Sequence, residues 1–93
     1  MNIYERAVAV WGKEPQMLQV IEEMSELIKE ILKNVNRKKD NIAELIEETA
    51  DVEIMLEQLK YCYQIGREVD AYKAEKIKVI EKRLDEWEKK NND

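Results

Sequence analysis

The scarcity of helix-breaking residues constrains this chain more than any other feature. Only two glycines, Gly12 and Gly66, and one proline, Pro15, occur in 93 residues. Glycine and proline are the residues that interrupt helices most effectively, so the chain divides into a few long, unbroken segments. Glutamate, lysine, leucine and isoleucine are abundant in those segments. The sequence therefore predicts an all-α fold.

Apolar residues recur within these segments at intervals of about 3.6 residues, the period of an amphipathic helix. Residues 15–35 carry one such stripe, residues 41–63 a second and residues 69–88 a third. Gly66 is expected to end the helix before the last one. With a short opening helix before Gly12, we expect one short and three long helices. Short connections favour antiparallel neighbours, hence a small antiparallel helical bundle.

A chain of 93 residues is long enough for one domain. Residues 1–93 are therefore interpreted as a single helical domain, with residues 88–93 as a frayed tail. The polar segment 34–40 is predicted to be a loop, with its last residue or Asn41 capping the next helix. So short a chain buries a thin core and usually gains stability from a metal or a second subunit. Cys62 is the only cysteine, which excludes an internal disulfide framework.

Charge and hydropathy exclude several classes of function. The formal net charge is −5 at pH 7, which disfavours general binding to nucleic acids or to anionic membranes. No apolar run approaches the length of a membrane span. The first residues lack a basic flank followed by an apolar run, so no signal peptide is predicted. Together with the lone cysteine, these features predict a cytoplasmic protein.

Acidic residues interrupt two of the apolar stripes. On a helical wheel, Glu48 falls within the arc that contains Val52, and Asp51 lies at the edge of that arc. A carboxylate in an apolar stripe loses hydration, at a cost of roughly several kcal/mol unless something compensates. Glu23 and Glu26 border the stripe of the preceding helix, and residues three apart are neighbours on a helix surface. Each helix thus offers a pair of carboxylates beside its buried face.

Antiparallel packing of the two helices would bring these pairs together. Four converging carboxylates would repel each other unless a cation lay between them, and oxygen ligands suit Mg²⁺ or Mn²⁺. The absence of histidine argues against zinc. The alternative is a structural role, with Glu48 paired to a lysine of another helix. Because 40% of the residues are charged, such acidic strings also arise by chance.

The order and spacing of these acids resemble the two-part signature of MazG-like pyrophosphatases, E-E-x-x-E followed by E-x-x-D. Glu22-Glu23-Met24-Ser25-Glu26 matches the first half and Glu48-Thr49-Ala50-Asp51 the second, with 21 residues between them. The approach to the motif, Trp11-Gly12-Lys13, is also similar to that of relatives. The resemblance covers most of residues 11–84.

The resemblance implies a fold like that of the all-α nucleoside triphosphate pyrophosphatases. Mg²⁺, for which Mn²⁺ can substitute, would be bound by Glu23, Glu26, Glu48 and Asp51. Glu22 and Glu47 would lie around these ligands and orient or deprotonate the attacking water. The implied reaction is hydrolysis of a (deoxy)nucleoside triphosphate to the monophosphate and diphosphate, which cleanses or adjusts the nucleotide pool. Relatives act as homodimers or homotetramers.

Substrate contacts are predicted at both ends of the chain. The run Lys76-Ile77-Lys78 with Lys82-Arg83 resembles a basic run of relatives, although Val79 stands where they commonly carry asparagine. Lys76 and Arg83 are candidates for phosphate contacts, or solvated partners of nearby acids. Trp11 is a candidate for stacking on a nucleobase, or a packing residue.

Two other functions stay open on the sequence. One is a hydrolase of the same superfamily that acts on phosphoribosyl-ATP or on another phosphoanhydride. The other is a non-catalytic helical interaction module whose acidic residues are structural.

Overall fold

The computed structural model describes residues 1–91, which form four α-helices and no strand. The helices are α1 (Ile3–Trp11), α2 (Lys13–Arg37), α3 (Ile42–Tyr63) and α4 (Gly66–Asn91). This confirms the prediction of an all-α chain with one short and three long helices. In the described part of the chain, no helix combines the length and the apolar character that a membrane crossing requires.

The chain turns sharply between α1 and α2 at Gly12. Asn2 begins α1, and its side-chain Oδ1 accepts a hydrogen bond from the backbone N–H of Glu5 at 2.8 Å. Gly12 has a φ of 92°, a conformation that glycine adopts without the steric cost of a side chain. Pro15 lies in the first turn of α2, where its missing N–H would have no partner within the helix.

Helices α2 and α3 form an antiparallel hairpin, and α1 packs against both of them. Val20 of α2 is only 3% exposed, and Val52 of α3 is also buried. The connection between the helices is shorter than predicted, because α2 continues to Arg37 and Lys38 then adopts a left-handed φ of 55°. The predicted loop at residues 34–40 therefore begins four residues too early (34–37 are helical).

The end of α3 differs from the prediction that placed it at Gly66. Gln64 adopts a left-handed φ of 54°, and its N–H donates to the carbonyl of Tyr61 at 3.2 Å. The N–H of Ile65 donates to the carbonyl of Lys60 at 3.1 Å. These bonds satisfy carbonyls of the last turn as in common helix-ending motifs, although glycine is the usual residue there. Gly66 instead begins α4.

Helix α4 leaves the other helices after its first turns. Val69 is half-buried, and Lys73 lines a groove shared with α3, whereas residues 70–91 are exposed. The radius of gyration is 17.6 Å, against about 12 Å for a compact chain of this length. Residues 88–91, part of the predicted frayed tail, continue α4, and residues 92–93 lie outside the described residues.

Apolar side chains remain exposed along two helices. The outer face of α2 exposes Leu18, Ile21, Ile28, Ile31, Leu32 and Val35. The α4 stripe exposes Tyr72, Ile77, Ile80, Leu84 and Trp87. The amphipathic pattern thus predicted the apolar faces of α2 and α4. Within a single chain, however, packing buries only part of the α2 stripe and almost none of the α4 stripe.

Candidate metal centre

Three carboxylates meet between α2 and α3. Glu23, Glu48 and Asp51 each offer one carboxylate oxygen, and these three oxygens all lie within 4.8 Å of one another. All three residues are half-buried. The antiparallel hairpin places the turn of α2 that carries Glu23 opposite the turn of α3 that carries Glu48 and Asp51. The structure therefore brings together three of the four predicted metal ligands.

Of the three acids in this cluster, Glu48 has the least favourable electrostatic environment. Its Oε2 atom is buried and has no hydrogen-bond partner. Burial raises the pKa of Glu48, and the neighbouring charges of Asp51 and Glu23, followed by those of Glu47 and Glu26, raise this pKa further. A buried carboxylate oxygen without a partner is unfavourable, because the water it has lost is not replaced. A cation among the three carboxylates would replace that water and remove the repulsion.

Glu30, on the same helix, shows how this chain satisfies a structural glutamate. It is only 8% exposed. Its Oε1 accepts a hydrogen bond from Asn41 Nδ2 at 3.0 Å, and its Oε2 accepts one from Lys33 Nζ, also at 3.0 Å. These two bonds lower the pKa of Glu30. Glu48 has no such hydrogen-bond partners within the described residues. In this respect it differs from Glu30, whose carboxylate is part of the packing of the fold.

The other acids of the motif lie around the cluster. Glu26, the fourth predicted ligand, is outside the group of three, and its carboxylate lies 3.7 Å from Lys29 Nζ. It is nevertheless close enough for its charge to raise the pKa of Glu48. Glu47 is exposed and acts on Glu48 in the same way. Glu22 is exposed as well.

A largely apolar groove of about 410 Å³ adjoins the hairpin where α1 packs on it. Trp11, which is 64% exposed, lies in its wall together with Gln16 of α2 and Met55 of α3. Met55 is about one helical turn, roughly 6 Å along the axis, beyond Asp51. The groove therefore lies further along the hairpin than the carboxylate cluster. Its wall includes Trp11, the candidate for stacking on a nucleobase.

The predicted phosphate contacts are not assembled within one chain. Lys76 and Arg83 are exposed on α4, which contacts α3 but not α2 in residues 1–91. Across the same residues, no ion pair joins either side chain to the three carboxylates.

Sequence patterns missed two polar residues that matter to this arrangement. Gln19 Nε2 donates a hydrogen bond to Glu23 Oε1 at 2.8 Å. Gln58 is only 2% exposed and its Nε2 donates to the backbone carbonyl of Tyr4 at 3.2 Å, which ties α3 to α1. The four-residue spacing of Gln19 and Glu23 is a signal that could have been noticed, because such residues face each other on a helix.

Comparison with models of protein families, with curated proteins and with solved structures gives no match to this chain. The features of the chain that bear on its function are therefore the carboxylate cluster, its surroundings and the spacing of the acids along the sequence.

Proposed function

We propose that this chain is a Mg²⁺-dependent nucleoside triphosphate pyrophosphohydrolase, which converts a (deoxy)nucleoside triphosphate and water to the monophosphate and diphosphate. The observation that carries the proposal is the buried, unpartnered Oε2 of Glu48 within a cluster of three carboxylates. The choice of reaction is supported by the resemblance of the two acidic motifs to the signature of MazG-like pyrophosphatases.

The donor set fits a hard divalent cation. Glu23, Glu48 and Asp51 provide oxygen ligands alone, which suits Mg²⁺ or Mn²⁺ better than zinc or copper. Glu26 is proposed as a fourth ligand, since it lies near the cluster and its contact with Lys29 is long and exposed. When bound, Mg²⁺ supplies the positive charge that lets these acids and a triphosphate occupy one site, and it promotes ionisation of the attacking water.

The remaining motif residues have roles that follow from their positions. Glu47 is exposed beside Glu48, so it is proposed to accept a proton from the attacking water, with Glu22 as the other candidate. The oxygen of that water forms a bond to the α-phosphorus. The bond from the α-phosphorus to the bridging oxygen breaks, and diphosphate leaves with the electron pair. Trp11 and the apolar groove are proposed to hold the nucleobase.

Assembly of two or four copies is part of this proposal. The outer face of α2 and the α4 stripe expose many large apolar side chains, and extended exposed apolar surface is typical of interaction sites. In the proposed assembly, a second copy covers these faces and brings Lys76 and Arg83 of α4 to a neighbouring cluster. Lys76 and Arg83 would then stabilise the charge that develops on the leaving diphosphate. The enzyme would act on the cytoplasmic nucleotide pool.

Release of pyrophosphate from a panel of ribo- and deoxyribonucleoside triphosphates tests the proposal. Turnover of one or a few nucleotides is expected with Mg²⁺, and none with EDTA. Glu48→Gln should abolish turnover while the protein stays helical by circular dichroism. Glu53→Gln is the matched control, because Glu53 is an exposed glutamate of α3 outside the cluster, and it should retain activity.

The exposed apolar faces also favour a second candidate, a non-catalytic helical interaction module. The two candidates differ in what Glu48 does. An interaction module would show neither turnover nor metal binding in the wild type, and Glu48→Gln would leave its association unchanged. Metal binding without turnover of any nucleoside triphosphate would instead indicate phosphoribosyl-ATP or another phosphoanhydride as the substrate.

A further inference from the structure

Gln19 lies one turn before Glu23 on α2 and contacts its carboxylate. The Nε2 atom of Gln19 donates a hydrogen bond to Glu23 Oε1 at 2.8 Å, in a half-buried setting. This distance lies within the ordinary range for an N–H···O hydrogen bond. A glutamine donor is neutral, so the contact restrains Glu23 without cancelling the negative charge that attracts a cation. A lysine in the same place would hold Glu23 but would compete with the metal.

The contact restricts the carboxylate that α2 contributes to the cluster. A glutamate side chain has several rotatable bonds, and its carboxylate can face solvent as easily as the neighbouring helix. Asp51 is shorter, and Glu48 is held with one oxygen buried at the interface. A bond to one carboxylate oxygen limits the rotation of the group and leaves the other oxygen available as a ligand.

We propose that Gln19 is a positioning residue that holds Glu23 ready to bind the divalent cation. The inference rests on the proposed metal site and adds to it a residue outside the acidic motif. Groups that hydrogen-bond to metal ligands fix the orientation of those ligands, and their loss typically lowers metal affinity about 10- to 100-fold.

An ordinary helix-stabilising pair would have the same geometry but a different consequence. Side chains four residues apart often form hydrogen bonds that support the helix slightly. Removal of such a pair changes thermal stability a little and leaves metal affinity unchanged. A positioning role predicts an equally small effect on stability in EDTA but a large effect on metal affinity.

The test compares binding of Mn²⁺ alone to the full chain, measured by electron paramagnetic resonance, in the wild type and in Gln19→Met. Methionine keeps the length and helix propensity of glutamine and removes the donor. We expect the Kd for Mn²⁺ to rise about 10- to 100-fold, with the Tm in EDTA nearly unchanged. Asn34→Leu is the control, since it removes a neutral amide donor of α2 that contacts Asn41 at 3.1 Å, away from the cluster. Its Mn²⁺ affinity should equal that of the wild type.

Activity separates a positioning role from direct participation in the reaction. In Gln19→Met the Mg²⁺ concentration for half-maximal activity should rise, and kcat should return to the wild-type value at saturating Mg²⁺. Equal Mn²⁺ affinity of wild type and Gln19→Met would overturn the role of Gln19 and leave the metal site intact. A wild-type protein that does not bind Mn²⁺ would overturn the metal site itself, and the role of Gln19 with it.

Discussion

Thermal stability should depend on Mg²⁺ with a slope that follows from the structure. The cluster of Glu23, Glu48 and Asp51 is proposed to bind at least one ion, and it forms only when α2 and α3 pack. An ion that binds the folded chain alone adds about 1.4 kcal/mol of stability for each tenfold rise in its concentration above Kd. A domain of about this length changes its Tm by roughly 4–8 °C for each kcal/mol. The Tm should therefore rise by about 6–11 °C per decade of Mg²⁺.

Differential scanning fluorimetry at pH 7 and fixed protein concentration measures this slope. In Glu48→Gln the slope should largely disappear, because the variant removes a ligand charge while preserving the shape of the side chain. The same variant should have a higher Tm than the wild type in EDTA, since it also removes a carboxylate whose buried oxygen has no partner. Glu53→Gln should keep the wild-type slope. The metal centre would be refuted if the Tm of the wild type did not change with Mg²⁺ concentration, or if Glu48→Gln showed the same slope as the wild type.

Four further outcomes are expected. The pKa of Glu48 is raised, so its contribution to stability is present below the ordinary glutamate pKa and is lost as pH rises through the raised value. In EDTA, the Tm advantage of Glu48→Gln should grow as the pH rises above the ordinary glutamate pKa of 4.5, and a constant difference contradicts this reasoning. Val20→Ala removes two methyl groups from a position that is 3% exposed. The free energy of unfolding, measured in urea, should fall by about 2–3 kcal/mol. A decrease below about 1 kcal/mol argues against Val20 as part of the hairpin core. Light scattering should give at least twice the chain mass of 11.1 kDa, and a monomeric mass would refute assembly. Trp11→Ala should raise KM about tenfold with little change in kcat, as expected for loss of base stacking. An unchanged KM would contradict a contact between Trp11 and the nucleobase.

Much of the candidate site could be predicted because helices are periodic. Once residues 41–63 are taken as a helix, the place of Glu48 within its apolar stripe follows from spacing alone, and so does the position of Asp51 at the edge. The meeting of both with Glu23 required one further assumption, the antiparallel packing of a hairpin with a short connection. The structure shows that packing. Glu26, in contrast, was predicted from the motif and is not one of the three clustered acids, and its carboxylate lies 3.7 Å from Lys29 Nζ.

Contacts between distant residues could not be read from periodicity. Asp40 or Asn41 was expected to cap α3. Asn41 is the residue at that position, but its side chain donates to the backbone carbonyl of Glu30 at 2.9 Å and makes no capping bond. Gln58 is polar yet almost fully buried, because the carbonyl of Tyr4 accepts its hydrogen bond. In each case the partner lies more than ten residues away in the chain, so nothing in the local sequence identifies it.

The sequence by itself determined the four helices, the apolar faces and the acids that break them. These features depend on local hydrogen bonds and on side-chain spacing, which a single segment specifies. Tertiary structure decided which faces are used. The packing of α1, α2 and α3 buries Val20 and Val52 and isolates one oxygen of Glu48, whereas it leaves the α4 stripe and the outer face of α2 exposed. The local sequence of a helix determines its apolar face. The arrangement of neighbouring helices determines whether that face, or an acid within it, loses contact with water.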